Sequence, residues 1–243
     1  MAQNIYDEQA FYEGYAQLPR SLEGLSGAPE WRTVRTLLPD LNEARILDLG
    51  CGFGAFDRFA VEQGARQVIG IDLSQRMLRR ARELAASPRI EYRAGDLADL
   101  DVPERDFDLI YSALAFHYVE DFPALCRKMR SLLRCGGRLV ATLEHPIFSA
   151  PREDEWREKD GHPFWPLDSY LDEGRRVRHW IAEGVIKYHR TIGTYVNALL
   201  DSSFQLARLI EWGPDTDQVQ RHPEWARERE RPMFLLLAAD AVG

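Results

Sequence analysis

The sequence predicts a doubly wound α/β fold with a mostly parallel, seven-stranded sheet, and three observations carry that reading. Apolar runs of strand length alternate with helical patterns from residue 45 to residue 143, the rhythm of strands joined by right-handed helical crossovers. The first run, Ile46-Leu47-Asp48-Leu49, opens into Gly50-Cys51-Gly52-Phe53-Gly54, with glycines at alternate positions. That is a tight strand-to-helix turn where backbone can come close to a ligand. The last two apolar runs have no clear helix between them, so they form an antiparallel pair at the sheet edge.

Residues 1–45 precede the first strand. Tyr6, Phe11, Tyr12, Tyr15 and Trp31 recur there in an otherwise polar stretch. A helical preface packed on the core is one reading; a flap that brings Tyr12 or Tyr15 to a polar ligand group is the other. The first helix is expected over residues 55–63, stopping at Gly64. The second strand spans 67–72, and Ser74 then caps a helix whose apolar face is Met77, Leu78, Ala81, Leu84 and Ala85. A third strand over 90–93 ends at Gly95-Asp96. The fourth, over 107–112, leads to a helix capped by Asp121 with Pro123 in its first turn. Gly136-Gly137 should end that helix and launch the fifth strand over 138–143.

The alternation then breaks. Residues 144–190 hold three of the six tryptophans and four of the six histidines. Pro146, Pro151, Pro163 and Pro166 make the first half irregular, and two strand-like runs around Glu183-Gly184 read as a hairpin turning there. This stretch is expected to be an insertion at the rim of the sheet. A helix over 194–201 and strands over 204–212 and 232–239 complete one domain, residues 1–243.

Composition narrows the function. The chain is 45% hydrophobic and 29% charged, with a formal net charge of −8. No broad basic field is available for a polyanion, so nucleic acid is not an expected partner. The N-terminus has no basic region followed by an apolar stretch, so no secretory signal is read there. No apolar run spans a bilayer, so no membrane partner is expected. Three cysteines without metal or redox spacing suit a reduced, cytoplasmic setting, as monomer or homodimer. The four insertion histidines lack metal-ligand spacing, so no metal is expected.

The glycine turn alone leaves the ligand open. With Ala55 it satisfies the relaxed dinucleotide fingerprint, and Asp72 stands near the spacing of a ribose-binding acid, so an NAD(P)-dependent oxidoreductase is a real alternative. Asp48 weighs against it. A pyrophosphate beside that carboxylate would cost roughly 4 kcal/mol per charge pair at ~4 Å and an effective dielectric of ~20. S-adenosyl-L-methionine (SAM) has no phosphate and carries an ammonium and a sulfonium, which an acid favours. Asp96, after the third strand, can accept from an adenine amino group while Asp72 holds the ribose.

The motifs ILDLGCGFG (46–54), VIGIDLSQRML (68–78), YRAGDLADL (92–100), FDLIYSALAFHYV (107–119) and LLRCGGRLVATLEHP (132–146) together resemble the class I SAM-dependent methyltransferases, closest to the small-molecule, quinone-biosynthesis-like branch. The resemblance implies the Rossmann-like methyltransferase fold with its last strand antiparallel. It implies that Gly50 and Gly52 contact the methionine part, with Asp48 in support and Cys51 in the loop. Asp72 would bind the ribose, Leu73 and Met77 would pack near the adenine, Asp96 and Leu97 would bracket it, and Ser112 would offer its carbonyl to the ammonium. The product would be S-adenosyl-L-homocysteine (SAH). A protein that binds SAM without catalysis is a further alternative.

Methyl transfer from a sulfonium needs alignment first and a base only if the acceptor must lose a proton. Ser112-Ala113-Leu114-Ala115 stands where DNA adenine methylation would show Asn/Asp-Pro-Pro-aromatic, and none of the cysteines follows proline. The expected acceptor is therefore a small organic molecule, methylated on oxygen or nitrogen. His117, just past the fourth strand, and Glu144-His145, just past the fifth, are candidate catalytic groups or pocket structure. Within the insertion, Trp165, Tyr170, Trp180, His189 and Arg190 are candidate substrate contacts, Arg190 as a bidentate carboxylate binder.

Overall fold

The computed structural model describes residues 3–85 and 87–243. Met1 and Ala2, where the reading of the N-terminus and of segment 1–45 begins, lie outside the described residues, as does Ala86. Three short helices come first, α1 (Gln9–Ala16), α2 (Pro19–Glu23) and α3 (Trp31–Arg35). The alternating section follows as β1 (Arg45–Leu49), α4 (Ala55–Glu62), β2 (Gln67–Asp72), α5 (Gln75–Leu84), β3 (Ile90–Ala94), β4 (Phe107–Ala113), α6 (Phe122–Leu132) and β5 (Leu133–Glu144). After it come α7 (Pro146–Ser149), the hairpins β6 (Arg157–Lys159) with β7 (His162–Phe164) and β8 (Gly174–Trp180) with β9 (Ala182–His189), then α8 (Ile192–Asp201), β10 (Phe204–Trp212), α9 (Thr216–Arg221) and β11 (Phe234–Ala241).

The main sheet has the order β10-β11-β5-β4-β1-β2-β3. Pairings from β3 through β5 are parallel, and β11 runs antiparallel to both β5 and β10. The expected seven-stranded sheet with its antiparallel last strand is what the chain forms. Period-two alternation explains its two layers. Leu47 and Leu49 of β1 enter one apolar cluster with α6 and α8, while Ile46 enters the opposite one with α3 and α4. Both expected caps form: Ser74 Oγ accepts from Met77 N at 3.1 Å, and Asp121 accepts from Ala124 N at 2.9 Å.

The chain passes from β1 to β2 and β3 on one side and then to β4 on the other. The crevice between the carboxyl ends of β1 and β4 is thus the switch point where such sheets bind ligands. The turn after β1 closes against it. Gly50 N and Cys51 N both donate to Ile71 O, at 2.8 and 3.0 Å. Gly50 has φ +80°, and a Cβ there would lie 2.4 Å from Ala115 Cβ, so glycine is required for conformation and space alike.

Three sequence expectations are corrected. The β8–β9 turn falls at Ile181 (φ +64°), not at Glu183-Gly184. Arg178 pairs with Val185 and Trp180 with Ala182, so one residue faces two and Gly184 (φ +80°) serves a bulge. The 144–190 stretch is less irregular than its prolines suggest, because Asp160-Gly161 (φ +52° and +78°) turns the β6–β7 hairpin. Finally, β5 begins at Leu133, paired with Phe107, before Gly136-Gly137. Among the described residues no helix is long and apolar enough to cross a membrane.

Candidate active site

One cleft opens at the carboxyl ends of β1, β2 and β4, about 1030 Å³ including space open to solvent. One group of lining residues comes from the strand ends, Gly50, Gly52, Asp72, Leu73, Met77, Asp96 and Leu97. A second group is His117, Tyr118, Val119, Glu144 and Trp180, and Tyr6 and Tyr15 join the lining from the N-terminal segment.

Asp72, at the end of β2, organises the first half. Its carboxylate accepts from Gly52 N and from Ser74 N, each at 2.9 Å, and so ties the glycine turn to the start of α5. Burial outweighs these bonds and pushes Asp72 up to about 6. Asp96 accepts from Ala98 N at 2.9 Å, which sets its carboxylate at the rim.

Asp48 and Cys51 line a smaller cavity behind the glycine turn rather than the cleft itself. Asp48 is 2% exposed and lies against Asp57 of α4, which is 0% exposed. Asp48 Oδ1 and both Asp57 carboxylate oxygens lack a hydrogen-bond partner among the described residues. Burial, then the charge of Asp57, hold Asp48 well above the ordinary carboxylate range. Burial likewise pushes the Cys51 thiol up, which removes it as a nucleophile near neutral pH. Ser112 lies under the site, where its Oγ donates to Leu49 O at 2.7 Å and fastens β4 to β1.

The second half centres on three ionisable groups from three elements. Glu144 ends β5, His117 follows β4, and Lys187 lies in β9. Lys187 Nζ forms an ion pair with Glu144 Oε1, and His117 Nε2 lies 3.9 Å from the same oxygen. The Lys187 ammonium also sits 4.8 Å from the centre of the Trp180 ring. Burial opposes ionisation of Glu144, but His117, Lys187 and the Lys187 hydrogen bond outweigh it and hold Glu144 below its usual value. Burial, against the pull of Glu144, lowers His117 to about 4. At neutral pH His117 is therefore uncharged, Lys187 neutralises Glu144, and His117 Nδ1 is buried without a partner among the described residues.

Not every expected site residue reaches the cleft. His145 turns away from Glu144, as neighbours in an extended chain do. Its Nε2 lies 2.9 Å from Glu211 Oε1 and its Nδ1 accepts from Ile147 N at 3.1 Å. The reading of His145 as a catalytic group is corrected on that geometry. Trp165 donates to Ile147 O at 2.9 Å and stacks on Phe148. Tyr170 OH accepts from Ile192 N. His189 donates to Tyr170 O at 2.9 Å and meets Ser149 Oγ through Nδ1. Arg190 donates to the carbonyls of Val119 and Glu120, so its guanidinium is held by backbone and not offered to a carboxylate. Of the five insertion residues, only Trp180 lines the cleft.

Other residues stand at the site without having been singled out for it. In β9, Val185, Lys187 and His189 are all buried, and this period of two marks Lys187 as inward-facing. Arg20 lines both the cleft and the cavity behind the turn, and its guanidinium meets Glu30 at 2.6 Å; no motif in the sequence points to it. Tyr6 OH lies 3.0 Å from Tyr118 OH, and both residues line the cleft.

Strand order, glycine turn and acids at successive strand ends together define an α/β enzyme that holds an adenosine-type cofactor at its switch point. A family model described as a methyltransferase domain matches residues 46–137. The crystal structure of a SAM-dependent methyltransferase from Mesorhizobium loti is 47% identical, covers 89% of this chain and 100% of its own, and superposes with a TM-score of 0.86. A putative SAM-dependent methyltransferase from Listeria monocytogenes is 38% identical over 89% of this chain and 99% of its own, with a TM-score of 0.81. The chain is also 30% identical to phosphoethanolamine N-methyltransferase 3 of Arabidopsis thaliana over 76% of its own length, but spans only 36% of that protein. The chain belongs to the SAM-dependent methyltransferases, and its cofactor is SAM.

Proposed function

We propose that this enzyme methylates a small organic acceptor on oxygen or nitrogen, with cofactor and acceptor in the two halves of one cleft. The observation that carries this reading is the division of the lining. Asp72 is tied to the glycine turn and to Ser74, while Glu144, His117 and Trp180 form a separate group joined through Lys187, and both groups line the cleft.

The donor set suits the cofactor. The open side of Gly52, where a Cβ would meet nothing within 4 Å, leaves room for a ligand against the turn. Asp72 would hold the ribose hydroxyls and Asp96 the adenine amino group, with Leu73, Met77 and Leu97 against the ring. Arg20 would pair with the carboxylate of the methionine part, and Asp48 would support the turn from behind. SAM bound there supplies an activated methyl group on a sulfonium. The residues of the other half align the acceptor and exclude water. Gln3 supports that closure by bonding Gly184 O and Ile186 N of the β8–β9 hairpin, each at 2.9 Å, and Asp7 does so by accepting from Ser74 Oγ at 2.6 Å. On this reading residues 3–45 and 144–190 serve as flap and lid around the cleft.

Calorimetry with SAH tests the cofactor half, and absence of binding would sink the reading. Incubation with SAM and a metabolite extract, read by mass spectrometry for a gain of one methyl group, tests the acceptor half.

A further inference from the structure

The balance of charge in the cleft bears on the acceptor. Three carboxylates line it, Asp72, Asp96 and Glu144, against one cationic side chain, Arg20, which is itself paired with Glu30. If Asp72, Asp96 and Arg20 serve the cofactor as proposed above, the acceptor meets Glu144, the neutral His117 and the aromatic surfaces of Tyr6, Tyr118 and Trp180. Lys187, the nearest ammonium, is already committed to Glu144 Oε1 and to the Trp180 face. Among the described residues no Lys or Arg other than Arg20 lines the cleft, and Lys187 is already balanced by Glu144, so a phosphate or carboxylate would be buried there without a counter-charge. Glu144 Oε2 remains to accept a hydrogen bond, between walls suited to a flat apolar body.

The same groups bear on which atom is methylated. An oxygen acceptor such as a phenol must lose its proton before or during attack, which calls for a base matched to the task. The two groups placed to act are poorly set for it: Glu144 Oε1 already takes the Lys187 ammonium, His117 Nε2 faces that same oxygen at 3.9 Å, and burial lowers His117 to about 4. A nitrogen with a free lone pair needs no such help, and aromatic amines are mainly unprotonated at neutral pH.

We propose that the acceptor is an aromatic or heteroaromatic amine without an anionic substituent, received through its N–H by Glu144 and flanked by the Tyr6–Tyr118 pair and Trp180. In the step, the nitrogen lone pair forms the N–CH3 bond while the S–CH3 bond breaks and its electron pair returns to sulfur. The sulfonium becomes a neutral thioether and the nitrogen takes up the positive charge, which Glu144 stabilises. The extra proton then leaves the methylated nitrogen to water. The phosphoethanolamine named for the plant relative is excluded by this reading.

The inference rests on the proposed cofactor site, so SAH binding is measured first; its failure defeats that reading, whereas the following outcomes bear on the acceptor alone. Three probes on one ring system, 2-aminonaphthalene, 2-hydroxynaphthalene and naphthalene-2-carboxylate, together with phosphoethanolamine, are titrated into the SAH-saturated protein. The amine and hydroxy probes should bind at least about tenfold tighter than either anion, the scale of one hydrogen bond to a charged group. With SAM at pH 7, the amine should gain one methyl group. The hydroxy probe should react more slowly, at a rate that climbs with pH as the phenol ionises. Glu144→Gln should weaken amine binding about tenfold while SAH affinity stays within about twofold. If that variant does not fold, the probe series on the wild type still decides. An anion bound as tightly as the amine, faster methylation of the hydroxy probe at pH 7, or an amine that neither binds nor reacts overturns the proposal.

Discussion

The two halves of the cleft are built in different ways. The cofactor half comes from consecutive strand ends, Gly50 and Gly52 after β1, Asp72 at the end of β2 and Asp96 after β3. Each residue there is placed by its own strand and turn, and the parallel sheet brings the ends together. The acceptor half joins elements far apart in sequence: Tyr6 near the N-terminus, His117 after β4, Glu144 at the end of β5, and Trp180 and Lys187 in a separate hairpin. The first half is a property of the fold, and the second depends on how this chain's added segments dock against the ends of β4 and β5. Variants that separate cofactor binding from acceptor binding test that division.

The largest effect is expected at Asp72. Asp72→Ala removes the acceptor of Gly52 N and Ser74 N and the carboxylate proposed for the ribose. SAH affinity should fall about 100-fold or more, ~3 kcal/mol, because buried N–H groups lose a charged partner together with the ligand contact. His117→Ala should leave SAH affinity within about twofold, since its loss is confined to the other half. Calorimetry on both variants checks this, and equal losses would dissolve the division.

That contrast also explains what the sequence disclosed. The glycine turn and the acids on three successive strands could be read because local spacing places them. So could the antiparallel edge, although the link between residues 212 and 234 holds the short α9, which the sequence did not disclose and which is too short for a crossover helix. His145 misled because adjacency in sequence suggested a shared direction with Glu144, whereas the extended chain sends neighbours to opposite sides. Trp165, Tyr170, His189 and Arg190 looked like substrate contacts by type, yet their polar atoms are held by Ile147 O, Ile192 N, Tyr170 O and the carbonyls after β4. Lys187 was legible only through the alternation of β9. Its meeting with Glu144 follows from how the hairpin docks, which no local pattern encodes.

The next effect is expected at Lys187. Lys187→Met leaves Glu144 buried beside a neutral imidazole. Removing one partner of a buried ion pair costs about 3 kcal/mol or more when the other charge is stranded. Here His117 can take up a proton and restore the pair, so the loss should be smaller, about 2 kcal/mol in urea unfolding at pH 7. The signature is in the imidazole. Followed by NMR, His117 should titrate well above its wild-type value of about 4, because Lys187 no longer opposes its charge. A smaller stability loss at pH 5 than at pH 8 follows from the same raised value. An unmoved His117 titration would mean that Lys187 acts through packing alone.

The pH dependence of cofactor binding comes next. Asp72 is raised to about 6 by burial, so ligand-free protein protonates it on moving from pH 7 to pH 5. If the ionised carboxylate holds the ribose hydroxyls, SAH affinity should fall about tenfold at one pH unit below 6 and be flat above pH 7. Stability moves in the opposite sense. A carboxylate whose folded value exceeds its unfolded one contributes stability below about 4, and that contribution is lost as pH rises through about 6. Cofactor affinity and the Asp72 contribution to ligand-free stability should therefore cross over within the same window, read by calorimetry and by thermal unfolding in parallel. A pH-independent affinity would place the binding charge elsewhere.

The smallest effect is expected at Tyr6, where the N-terminal segment meets the acceptor half. Tyr6→Phe keeps the ring contacts with Phe11, Tyr15 and Tyr118 and removes only the hydroxyl 3.0 Å from Tyr118 OH. Both rings are half-buried at the cleft, so the hydroxyl left behind loses a partner that water replaces only in part, a cost of about 1 kcal/mol. For a chain of this size that is ~2–4 °C in the thermal midpoint. SAH affinity should change less than about twofold, while binding of an aromatic acceptor probe to the SAH complex should weaken severalfold, since Tyr118 OH becomes free to reorient. The opposite pattern, weaker SAH with unchanged probe binding, would move the N-terminal segment to the cofactor side of the division, where Asp7 already touches Ser74.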